Sequence, residues 1–193
     1  MKKILIIQGH PDKESFCHAL AEVYCKGAQT EGAEVRILNT GELDFNPNLS
    51  YGYRQRTPLE PCLEKAQADV LWAEHIVIVY PVWWGMAPAV LKGFLDRVFL
   101  PGFAFQKRPN SLWWDKLLKG RTARIITTMD QPTWYYRLVY GRPSTKAIKK
   151  LTLEFCGIKP VKVTSIGPIR LSKERFREKW LEKVGKLAQK EAK

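Results

Sequence analysis

Two adjacent tryptophans, Trp83 and Trp84, sit in the turn Tyr80-Pro81-Val82-Trp83-Trp84-Gly85-Met86-Ala87-Pro88, directly after the apolar run Ile76 to Tyr80. Large indoles at the exit of a buried strand, bracketed by two prolines, are poor core filler. They suit a flat platform at the carboxyl end of a sheet, where α/β proteins bind ligands. A planar aromatic cofactor matches that shape. Core packing is the competing reading, and it weighs more for Trp84 than for Trp83.

A second chemistry-bearing segment follows the first apolar run, Ile4 to Ile7: Gly9-His10-Pro11-Asp12-Lys13-Glu14-Ser15-Phe16 leads into a helical pattern. The first turn of a helix offers unpaired backbone N–H groups and a partial positive charge, which together attract anions. Ser15 either caps the helix or meets a phosphate, and His10 is placed to donate to the same anion. The spacing is neither a P-loop nor a G-x-G-x-x-G fingerprint. A plain N-cap and a plain turn histidine explain the two residues equally well when this loop is taken alone.

Both segments need strands and helices to hold them. Lys3 to Gln8 reads as a first strand, with the continuous apolar run of a strand covered on both faces. Ser15 to Glu31 has helical periodicity, ended by Gly32, and Glu34 to Leu38 is a second strand. A polar stretch from Asn39 to Pro61 precedes a helix at Leu63 to Ala73. Ile76 to Tyr80 is the third strand and Ala87 to Phe99 the next helix. Leu100 to Gly120 and Met129 to Pro143 read as long loops around a fourth strand, Ala123 to Thr128. A helix at Ser144 to Cys156, a fifth strand at Val161 to Ile166 and a last helix capped by Ser172 complete the chain. This alternation predicts one domain spanning residues 1–193: an α/β, flavodoxin-like, doubly wound, five-stranded parallel sheet of order 2-1-3-4-5 with helices on both faces.

The 193 residues are 45% hydrophobic and 26% charged, an ordinary globular mixture. No apolar run is long enough to span a membrane, and Ile4 to Ile7 is too short for a signal peptide, so a cytoplasmic location is expected. Cys17, Cys25, Cys62 and Cys156, and His10, His18 and His75, lack metal-ligand spacing, so no metal site is expected. The net charge of +13 is compatible with an anionic small molecule or with nucleic acid. The charge reads as unsegregated, and no nucleic-acid-binding motif accompanies it, so no nucleic-acid partner is expected.

With both loops in view, the chain resembles the NAD(P)H:quinone oxidoreductase family of flavodoxin-like flavoproteins, and within it the modulator-of-drug-activity-B branch. The matching pieces run in order: Gly9-His10-Pro11 with Ser15-Phe16; Phe45-Asn46-Pro47; Tyr80 to Gly85; Pro88 and Leu91-Lys92-Gly93-Phe94 to Asp96-Arg97-Val98-Phe99; Gly102-Phe103-Ala104-Phe105; Thr127-Thr128; Phe155-Cys156-Gly157; Ser165-Ile166-Gly167. The resemblance implies that His10, Ser15, Phe16 and Cys17 hold the phosphate or pyrophosphate of a flavin. It implies that Pro81, Val82, Trp83, Trp84 and Gly85 wrap the isoalloxazine ring. The backbone of Thr127, Thr128, Met129 and Asp130 would meet the N1–C2 edge of that ring. Better-known members carry two glycines where Met129 and Asp130 stand, and glycine admits a closer backbone approach. Asp130 would repel an anionic reduced flavin if it pointed inward, so it is expected to point away from the ring. A tyrosine near the reduced flavin would be Tyr135 or Tyr136, and Trp134 with Phe103 and Phe105 would wall the slot.

The resemblance further implies two-electron, ping-pong chemistry. Hydride passes from NAD(P)H through the flavin to a quinone or similar planar acceptor, in a homodimer joined near Tyr51 to Tyr53 and Phe103 to Phe105. FAD is favoured over FMN, with Arg175 near the adenine end. Two other functions fit the same resemblance: an accessory regulator of a potassium-efflux system, and a flavodoxin-like electron carrier. Carriers of that kind are acidic, which the charge of this chain opposes.

Overall fold

The computed structural model describes all 193 residues. The apolar runs become strands β1 (Lys3–Gln8), β2 (Glu34–Asn39) and β3 (His75–Pro81), with helix α1 (Phe16–Gln29) after β1 and α2 (Pro61–Trp72) after β2. Helix α3 (Ala89–Val98) follows β3. The segment expected to be a loop from Leu100 to Gly120 instead holds a small antiparallel hairpin, β4 (Phe105–Lys107) and β5 (Trp114–Lys116). Then comes β6 (Thr122–Thr128). The second expected loop contains a short helix, α4 (Thr133–Leu138). Helix α5 (Pro143–Lys146) continues as a π-helical stretch, Ala147–Leu153, and a final turn, α6 (Glu154–Cys156), before β7 (Val161–Ile166) and α7 (Glu174–Ala192).

The main sheet is parallel throughout, with order β2-β1-β3-β6-β7. With the hairpin left out of the count this is the expected 2-1-3-4-5. Alternate side chains of each strand feed opposite faces. Ile4, Ile6, Val77, Val79 and Ile126 pack under α1 and α7, while Leu5, Ile7, Ile76, Ile78 and Ile125 pack under α2, α3 and the α5–α6 segment. Helices α1 and α7 approach so closely that a Cβ on Gly27 would lie 2.6 Å from the Gly185 carbonyl oxygen. No helix is long and apolar enough to cross a membrane.

Helix α7 begins one residue later than its sequence suggests. Ser172 does not cap it: its hydroxyl donates to the Ile169 carbonyl at 2.6 Å and accepts from Arg177 Nε at 3.0 Å, and Lys173 is the N-cap residue.

The chain leaves β1 toward β2 on one side and returns to β3 on the other. The loops after β1 and β3 therefore diverge and leave a crevice at the carboxyl ends of these strands, where open α/β sheets take ligands.

Candidate functional site

That crevice is a cleft of about 320 Å³ lined by His10, Ser15, Phe16, Cys17, Pro81, Val82, Trp83, Thr128, Met129 and Asp130, joined by Asp12, Ile169 and Arg177. The β1–α1 loop forms one end. Ser15 is extended (φ −72°, ψ 153°) and its Oγ accepts from the His18 N–H at 3.2 Å, so it caps α1. The Phe16 and Cys17 N–H groups find no acceptor in the chain. Two bare amides at a helix N-terminus make an anion site. On the His10 ring, Nδ1 accepts from the Asp12 N–H at 3.0 Å, so the neutral ring carries its proton on Nε2, as a donor. Burial lowers the His10 pKa below the ordinary histidine value, against the opposing pull of Asp12, and so favours this neutral form. Behind it, Gln8 Oε1 accepts from the His10 N–H at 3.1 Å, while Gln8 Nε2 is buried without a partner.

Cys17 lies at the back of the cleft, 3.1 Å from Thr128 Oγ1. Burial pushes its thiol up to about 12, so it stays a neutral packing group and no nucleophile.

The β3–α3 turn forms the other end. Residues Trp83 to Met86 close a two-residue hairpin. Trp83 N–H donates to the Met86 carbonyl at 2.9 Å, and Met86 N–H to the Trp83 carbonyl at 2.8 Å. The two central residues, Trp84 (φ 50°) and Gly85 (φ 75°), are both left-handed, as this tight turn demands. The turn separates the tryptophans. Trp83 lines the cleft, 44% exposed, and meets the His10 ring edge-on at 5.2 Å. Trp84 points fully into solvent and does not line the cleft. Core packing accounts for neither.

The turn is held from below. Ser144 N–H donates to the Gly85 carbonyl at 3.1 Å. Ser144 Oγ in turn accepts from Tyr80 at 3.3 Å and lies 2.7 Å from the Tyr136 hydroxyl. Tyr136 is therefore buried beneath the platform with its hydroxyl engaged, outside the cleft. Tyr135 stacks edge-on against Trp134 and Tyr140, also outside the cleft, and its hydroxyl has no partner. Thr127 is fully buried and its Oγ1 donates to Ser165 at 3.1 Å. Phe105 is likewise core, edge-on to Phe155 at 5.0 Å. Trp134 lines a separate cleft with Leu138, Arg142 and Ser165.

The loop after β6 explains how Met129 and Asp130 replace glycines. Neither has a left-handed backbone. Met129 extends the ladder: its N–H donates to Ile166 and its carbonyl accepts from Ile169, each at 3.0 Å. Its side chain is buried against Gly167, where a Cβ would lie 2.8 Å from Met129 Cγ. The Met129 N–H is thus spent within the protein. Asp130 Oδ1 accepts from the Arg170 N–H at 3.1 Å, which turns the carboxylate toward the β7–α7 loop, while the Asp130 N–H has no partner. Arg177, in the first turn of α7, lines the cleft and donates from Nε to Ser172 Oγ at 3.0 Å, a placement no motif in the sequence announced. The resemblance placed Arg175 near the adenine end instead, and Arg175 does not line the cleft.

The residues present fit a flavin. Bare amides, a hydroxyl and an imidazole donor suit a phosphate at one end, and an indole and a proline-flanked turn suit a flat ring at the other. Fold and cleft together define a doubly wound α/β protein of flavodoxin type with a site for a phosphorylated, planar ligand. A family model described as flavodoxin-like fold matches residues 2–190. An NAD(P)H oxidoreductase of Haemophilus influenzae is 30% identical over 189 residues, covering 96% of this chain and 93% of its own. The human ribosyldihydronicotinamide dehydrogenase [quinone] is 27% identical, covering 82% of this chain and 78% of its own. A crystal structure from Streptococcus mutans UA159 superposes with a TM-score of 0.80 at 32% identity, covering 97% of this chain and 99% of that one. The chain belongs to the flavodoxin-like NAD(P)H:quinone oxidoreductase family.

Proposed function

We propose that this protein is a flavin-dependent NAD(P)H:quinone oxidoreductase that works as a homodimer, with FAD as its resident cofactor. The observation that carries this reading is the cleft itself, with unpaired helix amides at one end and a half-exposed indole at the other. The similarity to an NAD(P)H oxidoreductase and to a ribosyldihydronicotinamide dehydrogenase [quinone] supports the reaction class.

The amides of Phe16 and Cys17 and the Nε2–H of His10 bind the phosphate. Trp83 and the turn around it orient the ring. A flavin held there would supply the two-electron redox chemistry between NAD(P)H and a quinone, and the protein supplies binding, orientation and electrostatics. With Met129 satisfied internally, the Asp130 amide is the backbone donor left to face developing negative charge at the ring edge. Tyr136 acts as a positioning residue under the turn, and Tyr135, outside the cleft, keeps its hydroxyl free to donate a hydrogen bond. Arg177, the one permanent cation among the lining residues, supports a pyrophosphate and hence FAD. Trp84, Met86, Tyr51, Tyr53 and Leu138 are large apolar side chains left exposed, which supports a second copy of the chain covering them.

Steady-state oxidation of NADPH by the flavin-loaded protein, with menadione as acceptor, tests the proposal. Parallel-line kinetics from a species that light scattering sizes as a dimer are expected. Failure to turn over when loaded with flavin would favour a carrier or a regulatory protein, and a catalytically active monomer would remove the dimer from the account.

A further inference from the structure

The positive charge is segregated after all. Residues 131–173 contain nine Lys and Arg and one acidic residue, Glu154, a surplus of eight out of the chain's net +13. Folding concentrates six cations around one concavity. A trough of about 530 Å³ runs along the outer edge of β7, with Val161 and Val163 as its apolar wall and Arg124, Arg142, Lys146, Lys149, Lys150 and Lys162 around it. Lys146, Lys149 and Lys150 are spaced i, i+3, i+4 and share one helix face. Two carboxylates reach the group. Glu191 binds Arg124 at 2.6 Å and Lys162 at 3.3 Å, and Glu154 lies 3.8 Å from Lys149. Arg142, Lys146 and Lys150 pair with no acid.

Lysine on an edge strand deters strand pairing between molecules. That accounts for Lys162 and leaves the four cations of the facing helix unexplained. Like charges gathered in a concavity with low-dielectric walls repel one another and focus a field toward counter-ions. The helix that carries them is also unusual. From Ala147 to Leu153 it is π-helical, and Glu154 N–H donates five residues back to the Lys149 carbonyl. Such widened turns are rare and occur frequently at functional sites. No aromatic ring lines the trough, so it has no platform for a base, and its recognition is of charge.

We propose that this trough is a second binding site, separate from the flavin cleft, for a multiply phosphorylated anion held by Arg142, Lys146, Lys149 and Lys150. The phosphates belong either to a soluble nucleotide, the phosphorylated co-substrate among them, or to a lipid headgroup, and the two sources share the chemistry that the trough reads.

The test is calorimetric titration of the flavin-loaded protein with sodium tripolyphosphate at fixed ionic strength. Saturable binding of one anion per chain is expected. The double variant Lys146→Glu/Lys150→Glu, both at exposed positions, loses at least about tenfold in affinity while keeping its flavin content and its turnover with NADH. Lys149→Gln, a milder change, gives a smaller loss in the same direction and guards against misfolding of the double variant. Displacement of tripolyphosphate by adenosine 2′,5′-bisphosphate, with a raised KM for NADPH alone in the double variant, identifies the co-substrate as the source. Sedimentation of the wild type but not the double variant with phosphoinositide vesicles identifies a headgroup; either result upholds the site. Unsaturable binding, equal affinity in wild type and both variants, or affinity only for single-stranded DNA that grows with its length would overturn the proposal.

Discussion

The two ends of the sheet treat polar groups in opposite ways. At the carboxyl ends of the strands, the amides of Phe16, Cys17 and Asp130 are unpaired, Gln8 Nε2 is orphaned, and an indole is half bare. Toward the amino ends, a cluster of charges is closed on itself. Glu191, at the end of α7, accepts from Arg124 Nε and Nη2, both at 2.6 Å, and from the Tyr24 hydroxyl at 3.0 Å, with His75 Nε2 at 3.6 Å. All four residues are buried. Unsatisfied groups at one end are stability forgone in favour of a ligand. At the other end the Arg124 and Tyr24 groups bonded to Glu191 form a clamp that fixes the last helix against the sheet, though His75 Nε2 beside them has no hydrogen-bond partner.

The largest effect separating the two ends comes from breaking the clamp. Glu191→Ala leaves Arg124 buried without its partner and lowers stability by about 3–5 kcal/mol, a fall in Tm of roughly 10 °C. Flavin bound per folded molecule stays unchanged. The clamp also has a pH signature. Burial opposes the charge on Glu191, but hydrogen bonds from Arg124, with His75 close by, outweigh it and hold the carboxyl well below the usual range. A depressed folded pKa stabilises above the unfolded value of about 4.3 and loses that contribution as pH falls below it. Urea unfolding of wild type and Glu191→Gln should therefore differ by a constant amount above about pH 5, with the difference shrinking in more acidic solution.

At the other end the effects reverse in kind. Trp83→Ala weakens flavin binding by about 10- to 50-fold with little change in apoprotein Tm, as fluorescence titration and calorimetry can measure. Equal loss of both would return Trp83 to a packing role. The smallest effect is next door. Trp84→Gly relieves a left-handed backbone at a fully exposed residue and raises apoprotein stability by about 0.5 kcal/mol, with flavin affinity unaltered. A large loss of flavin on this change would mean that the two tryptophans act as one platform.

These contrasts also mark what the sequence made legible. Strands β1 and β3 were visible as continuous apolar runs, β2, β6 and β7 as mixed runs rich in Val, Ile and Thr, and the two ligand loops because each follows a continuous apolar run. The hairpin was hidden because Phe105–Lys107 and Trp114–Lys116 are too short to show a period. Helix α4 was hidden because six residues make fewer than two turns. The opposite fates of Trp83 and Trp84 rest on two positive φ angles, and only glycine announces one in advance. The clamp joins Arg124 to a residue 67 positions away, and local pattern carries no trace of it. The cationic trough was missed for a related reason: its charges are spread through turns, a helix and an edge strand that look ordinary one at a time.

The most direct test of the central claim is to purify the protein, release its cofactor by heat and identify the released species by mass. The account predicts a yellow protein that yields FAD. FMN would keep a flavin in the cleft and overturn the role given to Arg177. A colourless protein that binds neither flavin would contradict the assignment of the cleft.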